Sequence, residues 1–94
     1  NKAVHEGYRK QIEFYKTDKE IKLIESPAED VDYQDKFDLI FTSPPYFDVE
    51  RYTNEDTQSW KRYKNFNDWM NKFLLKTINK AWNNLEKNGH MIIN

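Results

Sequence analysis

The chain has 94 residues, of which 33% are charged and 37% hydrophobic, with a net charge of −1. That length holds at most one small domain, which buries only a modest share of its surface. An aromatic content of 16% argues against disorder, and the absence of cysteine excludes disulfides, thiolate metal sites and cysteine nucleophiles.

In chain order, residues 2–16 place Val4, Tyr8, Ile12 and Tyr15 three or four apart, one face of a helix that Gly7 weakens. "TDKE" at 17–20 reads as a turn, and "IKLIES" at 21–26 alternates apolar and charged residues as a short strand does. "PAEDVDYQDK" breaks that strand and reads as loop or one helical turn. "FDLIFTS" at 37–43 is a nearly continuous apolar run of the kind buried on both faces of a parallel sheet. Residues 47–64 are polar and aromatic without a period and read as a long loop, of the length that is often functional or mobile.

A helix follows over about 66–87, with Phe66, Trp69, Met70, Phe73, Leu74, Ile78, Ala81, Trp82 and Leu85 spaced three or four apart. Asn65 is its N-cap, Asp68 holds the capping-box position, and Lys87-Asn88-Gly89 supplies the stop. "HMII" then begins another strand. Helix, strand, strand, helix, strand predicts an α/β sheet with parallel connections. In such sheets ligands sit outside the carboxyl ends of the strands, which puts Ser26-Pro27-Ala28 and Thr42-Ser43-Pro44-Pro45-Tyr46 on one edge.

The charge is uneven. Residues 1–50 carry 7 basic and 12 acidic side chains, residues 51–94 carry 8 and 4. The basic half suits phosphates, or simply a solvated helix face rich in Lys. His5 and His90 are too far apart in sequence to suggest a metal site, and Trp60, Trp69 and Trp82 are assigned to core or loop anchoring. No apolar stretch approaches the roughly 20 residues that span a bilayer, and a cytoplasmic setting fits the lack of cysteine. The chain starts at Asn1 and stops at Asn94, directly after Met91-Ile92-Ile93, and so reads as an internal fragment.

The stretch "DLIFTSPPYF" carries the most specific chemistry. Two prolines stiffen the turn and remove two N–H donors, and Ser43 before them is pushed to extended backbone. A hydroxyl, backbone carbonyls and the Tyr46 ring amount to oxygen acceptors beside an aromatic platform, which suits a planar ligand with an exocyclic amine. The plainer reading of the same residues is a proline-terminated strand with two core aromatics.

"TSPPY" preceded by "DLIF" resembles motif IV of the amino-group DNA methyltransferases, and its Ser form resembles the subgroup that methylates N4 of cytosine. "NNLEKNGHMIIN" stands where that family has its turn into the next strand, and "IKLIESPAEDV" where it has its third strand. The resemblance covers about residues 20–94. It implies a fragment of a Rossmann-like methyltransferase fold, from after the second strand through the fifth, making residues 1–94 a partial catalytic domain. It implies S-adenosylmethionine as methyl donor and DNA with a flipped cytosine as substrate, N6 of adenine being the alternative target. Ser43, Pro44, Pro45 and Tyr46 are then catalytic, and Phe47, Arg51, Lys61 and Arg62 bind substrate, with Lys64 also facing phosphates. Ser26, Ala28, Glu29 and Thr42 contact the cofactor. The family's glycine-rich cofactor loop is absent, since the only glycines are Gly7 and Gly89. An isolated chain is therefore expected to be inactive, to pair with a missing segment or a second copy, or to pack poorly. A non-catalytic binding remnant is the reading from a different class.

Overall fold

A computed structural model describes residues 2–47, 49–51 and 53–94; Asn1, Asp48 and Tyr52, the last two within the expected loop, lie outside the described residues. The first helix forms as α1 (Lys2–Tyr15) but buries none of its residues, and of the expected apolar face only Ile12 is half-buried. Contacts that tie it down are polar and exposed, such as Arg9 with Glu25 at 3.8 Å. Residues 21–26 form no strand, contrary to the alternation, because no neighbouring strand accepts their hydrogen bonds among the described residues. Alternation makes a strand possible, but a ladder needs a partner. A single 3₁₀ turn, Ala28–Asp30, follows.

Strand β1 (Phe37–Thr42) pairs in parallel with β2 (Leu85–Ile93) in a two-stranded sheet. A helical rod connects them. It comprises α2 (Ser59–Arg62), then α3 (Phe66–Asp68), a π-helical segment (Trp69–Leu75) and α4 (Lys76–Asn83). The last three run on without a break, since Asp68, Trp69, Leu75 and Lys76 all keep right-handed helical backbone. The Asn65 side chain accepts from the Asp68 N–H at 2.9 Å and donates to the Asp68 carboxylate at 3.1 Å, closing the rod's first turn.

The rod ends at Asn83, four residues before the expected stop. Its last carbonyls are already taken. Asn84 Nδ2 donates to the Lys80 carbonyl, Lys36 Nζ to that of Asn83 at 2.6 Å, and the Phe37 N–H to that of Asn84 at 2.8 Å. These bonds cap the helix with tertiary partners and turn Leu85 directly into the ladder opposite Phe37. Asn88 then takes the left-handed backbone, with φ 73°.

The apolar core sits under the loop, not under the sheet. Tyr63, Trp69 and Phe73 are buried together, with Phe47, Met70 and Leu74 packed against them. The Tyr63 and Phe73 rings stack with centroids 6.2 Å apart. The wider π winding lets Trp69 and Phe73, four apart, face this cluster together, their rings 5.8 Å apart. Strand β1 is not buried on both faces as its apolar run predicts: Leu39 is 60% and Phe41 66% exposed. Only one neighbouring strand and one layer of helix cover it, so the face bearing these two residues opens into a shallow groove with Tyr33 and Phe37.

Gly89 is fixed by close approach rather than by its backbone angle. A Cβ there would stand 2.9 Å from Leu85 Cδ1 and 3.0 Å from the Asp38 and Glu86 carbonyl oxygens. Two of these neighbours are backbone and cannot swing away. Gly89→Ala is expected to destabilise by about 1–3 kcal/mol, the usual range for overpacking. Urea unfolding of the two chains checks this.

Candidate functional site

Because β1 and β2 are parallel, their carboxyl ends reach the same edge. Thr42 lies opposite Ile93, and the Asn94 N–H donates to the Thr42 carbonyl at 2.9 Å. This last ladder bond sets the next residue of each chain side by side. The Asn94 side-chain amide donates to Ser43 Oγ at 3.4 Å. Ser43 thus keeps its own proton to give and a second lone pair to receive. Asn94 escaped the sequence reading because its position opposite Ser43 follows only from the strand register.

Past Thr42 the backbone is irregular through Ser43, Pro44, Pro45 and Tyr46. Ser43 is exposed, the two prolines are half-buried, and the Tyr46 ring is 61% exposed. The Pro44 carbonyl accepts no hydrogen bond among the described residues. A hydroxyl with spare capacity, a backbone oxygen and an open aromatic face therefore lie within the four residues Ser43–Tyr46 that follow the strand. Such a set can hold an amine donor next to a flat ring.

Two clefts border residues 26–28, and one of them reaches this loop. Pro45 shares one of about 190 Å³ with Pro27, Ala28, Glu50, Gln58 and Phe73. Ser26 and Pro27 share another of about 410 Å³ with Lys2, His5, Glu25 and Glu55. Pro27 and Ala28 thus border the same cleft as Pro45, although residues 21–26 form no strand that would carry them to a sheet edge. Of the residues expected to contact a cofactor, Ser26 and Ala28 border these clefts. Thr42 is half-buried, its carbonyl taken by Asn94. Glu29 borders the smaller cleft, yet it is 2% exposed and its carboxylate is fully engaged.

Glu29 accepts from the Tyr63 hydroxyl at 2.9 Å, and the Arg62 guanidinium lies 2.7 Å away. Arg62 also reaches Asp30 at 2.9 Å, and Lys76 reaches Asp30 at 3.1 Å. Burial and the hydrogen bond to Glu29 push the Tyr63 phenol up to about 12. The Lys76 and Arg62 hydrogen bonds hold the Asp30 carboxyl below its ordinary value, and Lys80 does the same for Asp32. Of the cations expected at phosphates, Arg51, Lys61 and Arg62 have protein partners, while Lys64 is exposed. Arg62 bridges two carboxylates, Lys61 donates to the Asn54 carbonyl and to Asp56, and Arg51 lies over the Trp60 ring at 5.1 Å. No sequence period could announce the pairings of Arg62 with Glu29 and Asp30, or of Lys76 with Asp30, since they join residues about 30 or more apart in the chain.

Among the described residues no group of three or more His, Asp or Glu is placed to hold a metal ion. No helix among them is long and apolar enough to cross a membrane.

Removing the buried carboxylate with Glu29→Ala leaves Arg62 with Asp30 alone and Tyr63 with the Lys72 carbonyl alone, and is expected to cost about 1.5–3 kcal/mol, the worth of hydrogen bonds to a charged group. Thermal unfolding reads this directly. Tyr63 has a raised pKa in the folded chain, so its contribution is complete below the ordinary value of 10.0 and is lost as the pH climbs through about 12. Tyr63→Phe should remove that part of the alkaline loss of stability, seen by unfolding at a series of pH values between those limits. Compared with family models, curated proteins and solved structures, the chain matches none.

Proposed function

We propose that this chain is the target-base half of an amino-group DNA methyltransferase, acting on N4 of cytosine. One observation carries the reading. Ser43 Oγ, the unclaimed Pro44 carbonyl and the open Tyr46 ring stand together at the carboxyl ends of two parallel strands joined by a helical crossover. That edge is where an α/β sheet binds its ligands.

The amine of a flipped base donates its two hydrogens to Ser43 Oγ and the Pro44 carbonyl, while its ring stacks on Tyr46. Both acceptors lie on one side of the nitrogen, so its lone pair is turned away from them toward the incoming methyl group. Pro44 and Pro45 keep the two oxygens from drifting apart, and the contribution to rate is positioning. Asn94 holds the Ser43 hydroxyl in place from the neighbouring strand. S-adenosylmethionine supplies the methyl group in the family that the sequence resembles. The residues present do not complete a site for it. Ser26 and Ala28 border the clefts, but neither glycine does, and backbone must approach such a ligand closely. The exposed apolar face of β1 fits the same view, since helices cover both faces of such a sheet when it is complete.

The test is methyl transfer from labelled S-adenosylmethionine to DNA, by the chain expressed together with segments that carry a glycine-rich cofactor loop. N4-methylcytosine among the digested nucleosides supports the reading, and N6-methyladenine alone selects the alternative base. Ser43→Ala is expected to lower turnover about 10²-fold, the scale of a misplaced reacting group. Asn94→Ala is expected to lower it about 5-fold, the worth of one ordinary hydrogen bond. Titrating the 94-residue chain alone with S-adenosylmethionine in a calorimeter should give no saturable heat.

A further inference from the structure

Strand β1 has one bare side. Among the described residues the sheet holds two strands, so β2 covers one edge of β1 and no strand covers the other. The Thr42 carbonyl accepts from the Asn94 N–H, which turns the backbone groups of Thr42 toward β2. By the alternation of a strand, those of Ile40 turn the same way, and the N–H and C=O of Leu39 and Phe41 point to the open edge. Nothing among the described residues takes these four groups. The two side chains are open as well, at 60% and 66% exposure, and border the groove that Tyr33 and Phe37 also line. Edge strands are normally blunted by lysine, proline or a bulge. Leu39-Ile40-Phe41-Thr42 carries none of these and keeps regular register with β2.

Such an edge accepts an extended chain, and this one complements itself. Two copies related by a two-fold axis through Ile40, perpendicular to the sheet, run antiparallel. Leu39 then stands opposite the partner's Phe41. Both turn their backbone groups to the seam, so the two such pairs exchange four N–H to C=O bonds. On that face each leucine packs on the ring across from it. On the other face Ile40 meets its own copy. Asp38, exposed and in no ion pair among the described residues, meets the hydroxyl of the partner's Thr42, which can donate to it. Centring on Leu39 instead would set Phe41 against Phe37, whose N–H is already given to Asn84. We infer that this chain forms a two-fold dimer by antiparallel pairing of β1 with β1 of a second copy. A sheet of two strands is marginal, and the pairing makes it one of four, in the order β2-β1-β1-β2. The two Pro-Pro loops leave opposite ends of that sheet. The pairing needs nothing from the proposed reaction.

Sedimentation equilibrium of the 94-residue chain tests this. The average mass should rise with concentration from 11.5 kDa toward twice that value, and amide exchange at Leu39 and Phe41 should slow in step. Leu39→Lys and Phe41→Glu, both at exposed positions, should each weaken association about 10-fold, because each spoils two cross-strand pairs of the dimer. An equimolar mixture of these two variants should associate again. Its heterodimer sets the new cation against the new carboxylate and keeps one Leu–Phe pair, which only this register provides and which unfolded chains could not reproduce. Phe14→Lys, at an exposed ring of α1, should associate as the parent does. A parent chain that stays monomeric at every concentration overturns the inference, as does association that neither edge variant weakens. So does a mixture that fails to recover, or an equal loss with Phe14→Lys. Segments with a glycine-rich loop that protect the Leu39 and Phe41 amides, while the chain alone stays monomeric, also overturn it and assign the edge to them.

Discussion

A carboxylate at 2% exposure is costly unless donors surround it, and Glu29 is the only buried charged side chain among the described residues. Its two donors come from the end of α2 and from the residue after it, Arg62 and Tyr63. The same tyrosine hydroxyl donates to the Lys72 carbonyl, and Lys76 on the rod returns to Asp30 beside Glu29. One buried charge therefore gathers the 3₁₀ turn, the polar loop and the helical rod. The aromatic cluster of Tyr63, Trp69 and Phe73 forms on the far side of this clamp, and Phe47 is held against it. Without the clamp the residues after Tyr46 would have little reason to pack. Glu29 is therefore a buried structural anchor, although its place in the chain resembles that of a cofactor contact.

The second constraint is the direction of the strands. Antiparallel strands would have sent the ends of β1 and β2 to opposite edges. Parallel pairing through a long crossover brings Ser43 and Asn94 together and leaves the prolines to aim the chain away from the sheet. The chemistry proposed for the loop depends on that meeting of two chain ends.

Much of this was legible in the residues. The three-and-four spacing announced α1 and the rod, Asn65 and Asp68 marked the rod's start, and the apolar runs marked β1 and β2. What was not legible depended on partners distant in sequence. Residues 21–26 alternate correctly, but alternation cannot supply a neighbouring strand. The rod's pattern continues to Leu85, yet Lys36 and Phe37 claim its carbonyls first. The apolar run of β1 suggests two covered faces, and Leu39 and Phe41 remain open. At the candidate site, Ser43 and Tyr46 could be named from the motif, but neither the amide of Asn94 nor the carboxylates around Arg62 leave a local trace.

The turn between rod and sheet has a use beyond reversing the chain. Between the pairs Phe37–Leu85 and Leu39–His90, β1 advances two residues while β2 advances five. The surplus is held by the left-handed Asn88 and by Gly89, pressed against the Asp38 carbonyl. Slack of this kind decouples the length of the rod from the phase of the ladder. Residues gained or lost near the helix end can be taken up at 86–88, with Thr42 still opposite Ile93. Helix length can thus drift while the partnership at the reactive edge stays in step.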